Sequence, residues 1–246
     1  MKRLLKGLVK AKFSLQGVSN DFRKEGIIVM GYKGVIFDLD GTLVNSLEDI
    51  ADSMNIVLQR YGFPPHDLPA YRYFIGNGMK NLMHEALPES SRREELIIKY
   101  YSEMIVEYHK NCLNKTRPYN GIAELLNKLT SYNLKLAVFS NKIDELTRKI
   151  VTALLSDWNF EAVLGFSSKV PRKPNPYGAL LIGQKAGISP DELIYVGDTD
   201  VDMQTANSAG MYAVGASWGF RTKEELIASG AKYMLDHPLD LINILR

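Results

Sequence analysis

The run Val35-Ile36-Phe37-Asp38-Leu39-Asp40-Gly41-Thr42 narrows the possible folds more than any other stretch of the chain. Its apolar residues read as a buried strand, two aspartates one residue apart follow, and a Gly-Thr pair turns the chain. Charge inside a buried strand is costly, so carboxylates at the end of one are expected to face a crevice. In open α/β sheets the crevice beyond the carboxyl ends of the strands is where ligands bind. A second acidic cluster, Val196-Gly197-Asp198-Thr199-Asp200-Val201-Asp202, follows another apolar run near the far end of the chain. Two acidic strand ends predict one metal site assembled from distant segments.

After the first strand the pattern turns helical for about 70 residues. Leu47, Ile50, Met54, Val57, Leu58 and Tyr61 recur at helical spacing behind Ser46, a candidate N-cap, and Gly62 with Pro64-Pro65 ends that helix. A shorter helix carries Leu82, Met83, Ala86 and Leu87. Ser91 and Glu94 form a capping-box pattern before a third, running from Leu96 to Tyr108. From Pro118 onward, helices at 121–131, 143–155, 176–187 and 201–209 alternate with apolar runs at 134–139, 162–165, 193–196, 211–214 and 233–235. Such alternation predicts βαβ units. The expected fold is α/β: a doubly wound, Rossmann-like parallel sheet formed by 32–45 and 118–246, with an inserted α-helical cap at 46–117.

Residues 1–31 are expected to be a basic N-terminal extension. Within 1–29 the net charge is +5, leaving −3 for the rest of a chain whose total is +2. Leu4, Leu5, Leu8, Val9 and Phe13 against Lys2, Lys6 and Lys10 fit either an interfacial or targeting helix or an upstream extension. The balance of charge offers no case for a nucleic-acid partner, and no apolar run approaches the roughly 18 residues a membrane helix needs. The single cysteine, Cys112, fits a reducing compartment and a cytoplasmic protein. A monomer or a homodimer is compatible with these features.

Asp38 and Asp40 share one side of an extended chain, because side chains alternate along a strand. With Asp198 and Asp202 they would gather four carboxylates. Two unit charges 4 Å apart repel by about 4 kcal/mol at an effective dielectric of 20, so the cluster calls for protons or a cation. An all-oxygen site with positions left for water and phosphate suits Mg²⁺. Ser140 and Asn141 follow an apolar run and offer neutral donors to an anion. Lys173, on the stiff loop Pro171-Arg172-Lys173-Pro174-Asn175-Pro176, could neutralise a phosphoryl group. Backbone N–H groups from Leu39 to Thr42, Gly41 among them, could cradle it. In Gly76-Asn77-Gly78-Met79-Lys80 the glycines would let backbone approach a small substrate whose carboxylate Lys80 or Arg72 could pair; the same stretch also reads as a plain helix-start turn.

In their order, these motifs make residues 34 to about 240 resemble the haloacid dehalogenase superfamily of phosphohydrolases. Asp40-Gly41-Thr42-Leu43-Val44-Asn45-Ser46, Phe74-Ile75-Gly76-Asn77-Gly78, Arg117-Pro118-Tyr119-Asn120-Gly121 and Trp218-Gly219-Phe220-Arg221 look most like its phosphoglycolate phosphatases. The resemblance implies that Asp38 attacks phosphorus to form an aspartyl-phosphate and that Asp40 protonates the leaving oxygen and then activates water. It further implies that Ser140 and Lys173 hold phosphate oxygens. Asp38, Asp198 and the carbonyl of Asp40 would bind Mg²⁺, and Asp202 would support the ion or orient Lys173. Asn45 departs from the pattern, where relatives often carry Asp. The expected partner is a small phosphorylated metabolite, 2-phosphoglycolate first. Rival readings are a β-phosphoglucomutase-like isomerase, which usually has Val where Thr42 stands, an inorganic pyrophosphatase, and a non-catalytic phospho-ligand binder.

Overall fold

A computed structural model describes residues 31–245. The amphipathic pattern of the basic N-terminal stretch lies outside the described residues. The first strand, β1 (Gly34–Phe37), leads through the Asp-Gly-Thr turn into β2 (Val44–Asn45). Four helices follow: α1 (Leu47–Arg60), α2 (Leu68–Phe74), α3 (Met79–Ala86) and α4 (Glu94–Asn111). The chain returns by β3 (Arg117–Pro118) to α5 (Ile122–Ser131), β4 (Lys135–Ile143), α6 (Asp144–Leu154) and β5 (Phe160–Phe166). It ends with α7 (Tyr177–Ala186), β6 (Leu193–Gly197), α8 (Asp200–Ser208), β7 (Tyr212–Ala216), α9 (Lys223–Ala228), β8 (Tyr233–Leu235) and a 3₁₀ stretch, Pro238–Leu245.

The main sheet has the order β5-β4-β1-β6-β7-β8, and every neighbouring pair is parallel. β1 is buried on both faces. Its alternate residues enter different cores: Val35 and Phe37 join α5 and α6, whereas Ile36 joins α7 and α8. Helices therefore cover both faces, and the doubly wound reading of the sequence holds. Among the described residues no helix is long and apolar enough to cross a membrane.

The helical module leaves and rejoins the sheet side by side, because β2 and β3 pair antiparallel. Buried Asp49 at the start of α1 ties this junction by accepting from the Thr116 N–H at 2.8 Å and its hydroxyl at 2.7 Å. Local details differ from expectation. α2 goes unread in the sequence, where Pro64-Pro65 marks only the end of the preceding helix; Pro69 stands in its first turn, where proline is tolerated, and Asp67 caps it by accepting from the Ala70 N–H. Ser91 lies in a 3₁₀ turn, Glu89–Ser91, and does not cap α4, which starts after Arg93. Ser46 occupies the N-cap position of α1 without capping it; its hydroxyl donates elsewhere. Cys112 is buried and free at the end of α4.

Candidate active site

Because the strands are parallel, their carboxyl ends share one edge, and β1 stands where the chain winds away in both directions, the usual place for a ligand crevice. Asp38 leaves β1 there, its N–H donating to the Val196 carbonyl at 2.9 Å. Ser140, Asn141 and Lys142 occupy the end of β4, Asp198 follows β6, and Asp202 lies in the first turn of α8. Lys173 comes from the loop between β5 and α7. A cavity opens at this edge, with Asp38, Asp40, Ser140, Asn141 and Lys142 in its polar wall.

Asp38, Asp198 and Asp202 are buried, and one carboxylate oxygen from each lies within 4.8 Å of the others. Each has a different environment. Asp198 accepts from the Thr42 hydroxyl at 2.9 Å and the Phe220 N–H at 2.8 Å. Asp202 accepts from the Thr199 N–H at 3.0 Å and hydroxyl at 2.6 Å, and its other oxygen takes Lys173 Nζ at 2.7 Å. Asp38 Oδ1 is buried with Lys173 Nζ 2.9 Å away, yet the ammonium lies off the hydrogen-bonding direction and the oxygen accepts no hydrogen bond. Burial pushes the Asp38 carboxyl up to about 7, against the opposing pull of Lys173. Burial, then repulsion from Asp38 and Asp202, holds Asp198 well above the carboxylate range. An oxygen-only cluster with an orphaned carboxylate oxygen fits a hard divalent cation.

The Asp40 side chain is not part of that cluster. Its Oδ1 accepts from Ser46 Oγ at 2.5 Å and Lys142 Nζ at 2.6 Å. Lys142, with a fully buried side chain, also donates to the Tyr108 hydroxyl of α4 at 2.7 Å. Sequence reasoning passed over Lys142; the available signal was an ionisable residue directly after Ser140-Asn141, where the flanking residues read as buried.

Other expected contacts are taken up differently. The Gly41 N–H donates to the Val44 carbonyl and the Thr42 N–H to the Leu39 carbonyl, so closing the turn consumes two of the groups expected to cradle phosphate. The N–H groups of Leu39 and Asp40 have no acceptor among the described residues. Asn141, expected as an anion donor, spends its amide on the carbonyls of Gly76 at 2.9 Å and Lys173 at 3.2 Å and accepts from the Lys173 N–H at 2.7 Å, so it braces the lysine loop against the helical module. Ser140 Oγ does not cap α6; it accepts from the Lys142 N–H at 3.3 Å and lines the cavity. Lys173 is outside the lining and reaches the site through Asp38.

Of the residues expected to read the substrate, Gly78 lines the cavity and Arg72, Asn77 and Lys80 do not. Lys80 pairs with Glu94 on the surface, and Arg72 donates to the Gly219 carbonyl. Arg221, which sequence reasoning left without a role, answers from the loop after β7 by donating to carbonyls at the end of α2, Ile75 among them at 2.8 Å. The apolar wall comes from Ile50, Ile75, Met79, Leu82 and Phe220.

The chain is similar to known proteins in sequence and fold. A phosphoglycolate phosphatase of Aquifex aeolicus is 32% identical over 213 residues, 86% of this chain and 95% of that one. A solved structure from Haemophilus somnus 129PT, titled a predicted phosphoglycolate phosphatase, superposes with a TM-score of 0.81 at 30% identity, covering 88% of this chain and 99% of that one. A haloacid dehalogenase-like hydrolase from Streptococcus pneumoniae shares the fold, with a TM-score of 0.79 at 22% identity over 88% of this chain and 99% of its own. The family model described as haloacid dehalogenase-like hydrolase matches residues 35–216, from the first strand to the last residue of β7, and it is to this family that the chain belongs.

Proposed function

We propose that the protein is a Mg²⁺-dependent phosphomonoesterase acting on a small metabolite, 2-phosphoglycolate first, through an aspartyl-phosphate on Asp38. The observation that carries this reading is the buried, orphaned oxygen of Asp38, set beside Lys173 and facing a small cavity. The names of the relatives support the substrate. In this reading residues 46–117 form a cap over the 32–45 and 118–246 core, and its closure excludes water during transfer.

The ion would be held by Asp38, the main-chain carbonyl of Asp40 and Asp198, with Asp202 in support through Lys173. When bound it would supply positive charge that shields Asp38 from the incoming phosphate. Asp38 attacks phosphorus, and the proton on Asp40 passes to the leaving oxygen as its bond to phosphorus breaks. Water then attacks the aspartyl-phosphate, returning a proton to Asp40 and releasing Asp38 and phosphate. The Ser140 hydroxyl and the N–H groups of Leu39 and Asp40 donate to phosphate oxygens. Lys173 pulls Asp38 toward its ionised form, against the burial that raises it.

The deciding experiment is phosphate release from a panel of small phosphoesters and pyrophosphate, with Mg²⁺ or EDTA. The expected result is Mg²⁺-dependent turnover strongest on 2-phosphoglycolate. Preference for another ester would keep the chemistry and change the substrate. Turnover only of pyrophosphate, a requirement for a hexose bisphosphate, or silence across the panel would replace the reading with the corresponding rival.

Two predictions follow from the cluster. Asp38 rises to about 7 from an ordinary 3.8, so the metal-free fold loses stability as pH climbs through 7 while the unfolded chain ionises freely. Mg²⁺ competes with that proton, so its stabilisation in thermal unfolding should be larger at pH 8 than at pH 6; a shift independent of pH would place the ion elsewhere. Gly41 has φ +86°, and a Cβ there would lie 2.2 Å from Asp198 Oδ2. Gly41→Ala should displace that carboxylate and weaken Mg²⁺ binding by roughly 10–100-fold, read by calorimetric titration. Unchanged affinity would remove Asp198 from the ligand set.

A further inference from the structure

Asp40 lies at the cavity with an unequal pair of oxygens. Oδ1 accepts two short hydrogen bonds, from Ser46 and Lys142, which occupy its lone pairs. Oδ2 accepts none among the described residues. Lys142 is itself held. Its ammonium is fully buried, donates to the Tyr108 hydroxyl, and stands 4.7 Å from the centre of the Tyr108 ring. Tyr108 is also buried, on α4 of the helical module, whereas Lys142 belongs to β4 of the sheet. A buried ammonium is tolerated only with such partners, and once fixed it fixes what it touches.

We infer that Lys142 is a positioning residue for the proton-transfer step: braced by Tyr108, it pins Oδ1 of Asp40 and reserves Oδ2 for the leaving oxygen of the substrate. This rests on the phosphatase reading above and adds to it a residue outside its nucleophile, phosphate and metal groups. In the first step a bond forms from Asp38 to phosphorus, the bond from phosphorus to the leaving oxygen breaks, and the proton of Asp40 goes to that oxygen. An alkoxide leaving group needs that proton. The acetate expelled from acetyl phosphate does not, because it is stable as an anion. A carboxyl free to rotate away from the cavity would therefore slow the first kind of substrate and spare the second.

The test compares kcat/KM for 2-phosphoglycolate and acetyl phosphate, two substrates of similar size, in the Mg²⁺-loaded protein and its Lys142→Met variant. This ratio reports phosphoryl transfer to Asp38 and is blind to the later hydrolysis that both substrates share. General acid catalysis contributes about 10²–10⁴-fold, so Lys142→Met should lower kcat/KM for 2-phosphoglycolate by roughly 100-fold or more and leave acetyl phosphate nearly unchanged. Tyr108→Phe keeps the contact between Lys142 and Asp40 and removes one hydrogen bond, so it should move the ratio in the same direction by less. That variant decides the matter if Lys142→Met does not fold. A purely structural Lys142 would lower both substrates together, and equal losses, or an unmoved ratio in Tyr108→Phe, would overturn the assignment while the phosphatase reading stands. Absence of turnover in the unsubstituted protein would overturn that reading and the assignment with it.

Discussion

Asp38→Asn is expected to abolish phosphate release, by more than about 10⁴-fold, and at the same time to raise the melting temperature of the metal-free protein. The first effect follows from removing the attacking oxygen, for which the amide is no substitute. The second follows from the environment of the residue. Burial holds the Asp38 carboxyl at about 7, so at pH 8 the fold carries a charge in a place that disfavours it, beside Asp198 and Asp202. The unfolded chain bears no such cost above its ordinary 3.8. Asparagine is neutral at every pH, so the gain in stability should be full at pH 8, shrink as pH falls through 7, and vanish near pH 4. Mg²⁺ should stabilise this variant less than the parent, since one ligand is gone. Activity within about 100-fold of the parent would exclude Asp38 as the nucleophile, and a fall in melting temperature at pH 8 would show that the carboxylates do not repel one another. A site that gains stability when disarmed is a common outcome where catalysis requires like charges to be crowded together.

What could be read from the chain alone follows the reach of each physical signal. The acidic strand ends were legible because burial and alternation act locally: carboxylates directly after Phe37 and Gly197 have nowhere to go but the sheet edge. Lys173 was legible for the same reason, on a loop stiffened by prolines. Ser46, Lys142, Tyr108 and Arg221 were not: Ser46 turns back to Asp40, and the roles of the others are set by partners far away in sequence. Ser46 has the composition of an N-cap, and only the return of the chain past Asp40 gives its hydroxyl a better acceptor. Tyr108 falls in a helical apolar stripe and is indeed core, but its hydroxyl meets a lysine 34 positions on. The same limit explains Arg72 and Lys80. Each is a cation near the glycine-rich loop, and each finds a nearer partner, the Gly219 carbonyl or Glu94, than any substrate. Asn141 stands beside Ser140 in the motif and both line the cavity, yet the Asn141 amide is spent on stitching two loops together.

Lys173→Met should damage activity and fold together, lowering kcat/KM by about 10²–10³-fold and destabilising the metal-free fold at pH 8 by about 3–5 kcal/mol. Lys173 Nζ lies 2.9 Å from Asp38 Oδ1 and 2.7 Å from Asp202 Oδ1, and all three side chains are buried. Methionine fills the space of the stem but leaves buried carboxylates with no counter-charge. Protons can take its place only where they are available. Asp38, already at about 7 with Lys173 beside it, rises further without it, because Lys173 pulls that carboxyl down. At pH 5 the cluster therefore answers the loss of the ammonium by staying protonated, and the destabilisation should be small; it should grow as pH rises through 7 and beyond. Mg²⁺ can supply the missing charge at pH 8, so the ion should recover much of the melting temperature of the variant but little of its activity, since the nucleophile would lack the neighbour that orients it. Equal destabilisation at pH 5 and pH 8 would mean that the stem packs and the charge is incidental. Full recovery of activity by Mg²⁺ would mean that the ion alone activates Asp38, and would confine Lys173 to holding the apo fold together.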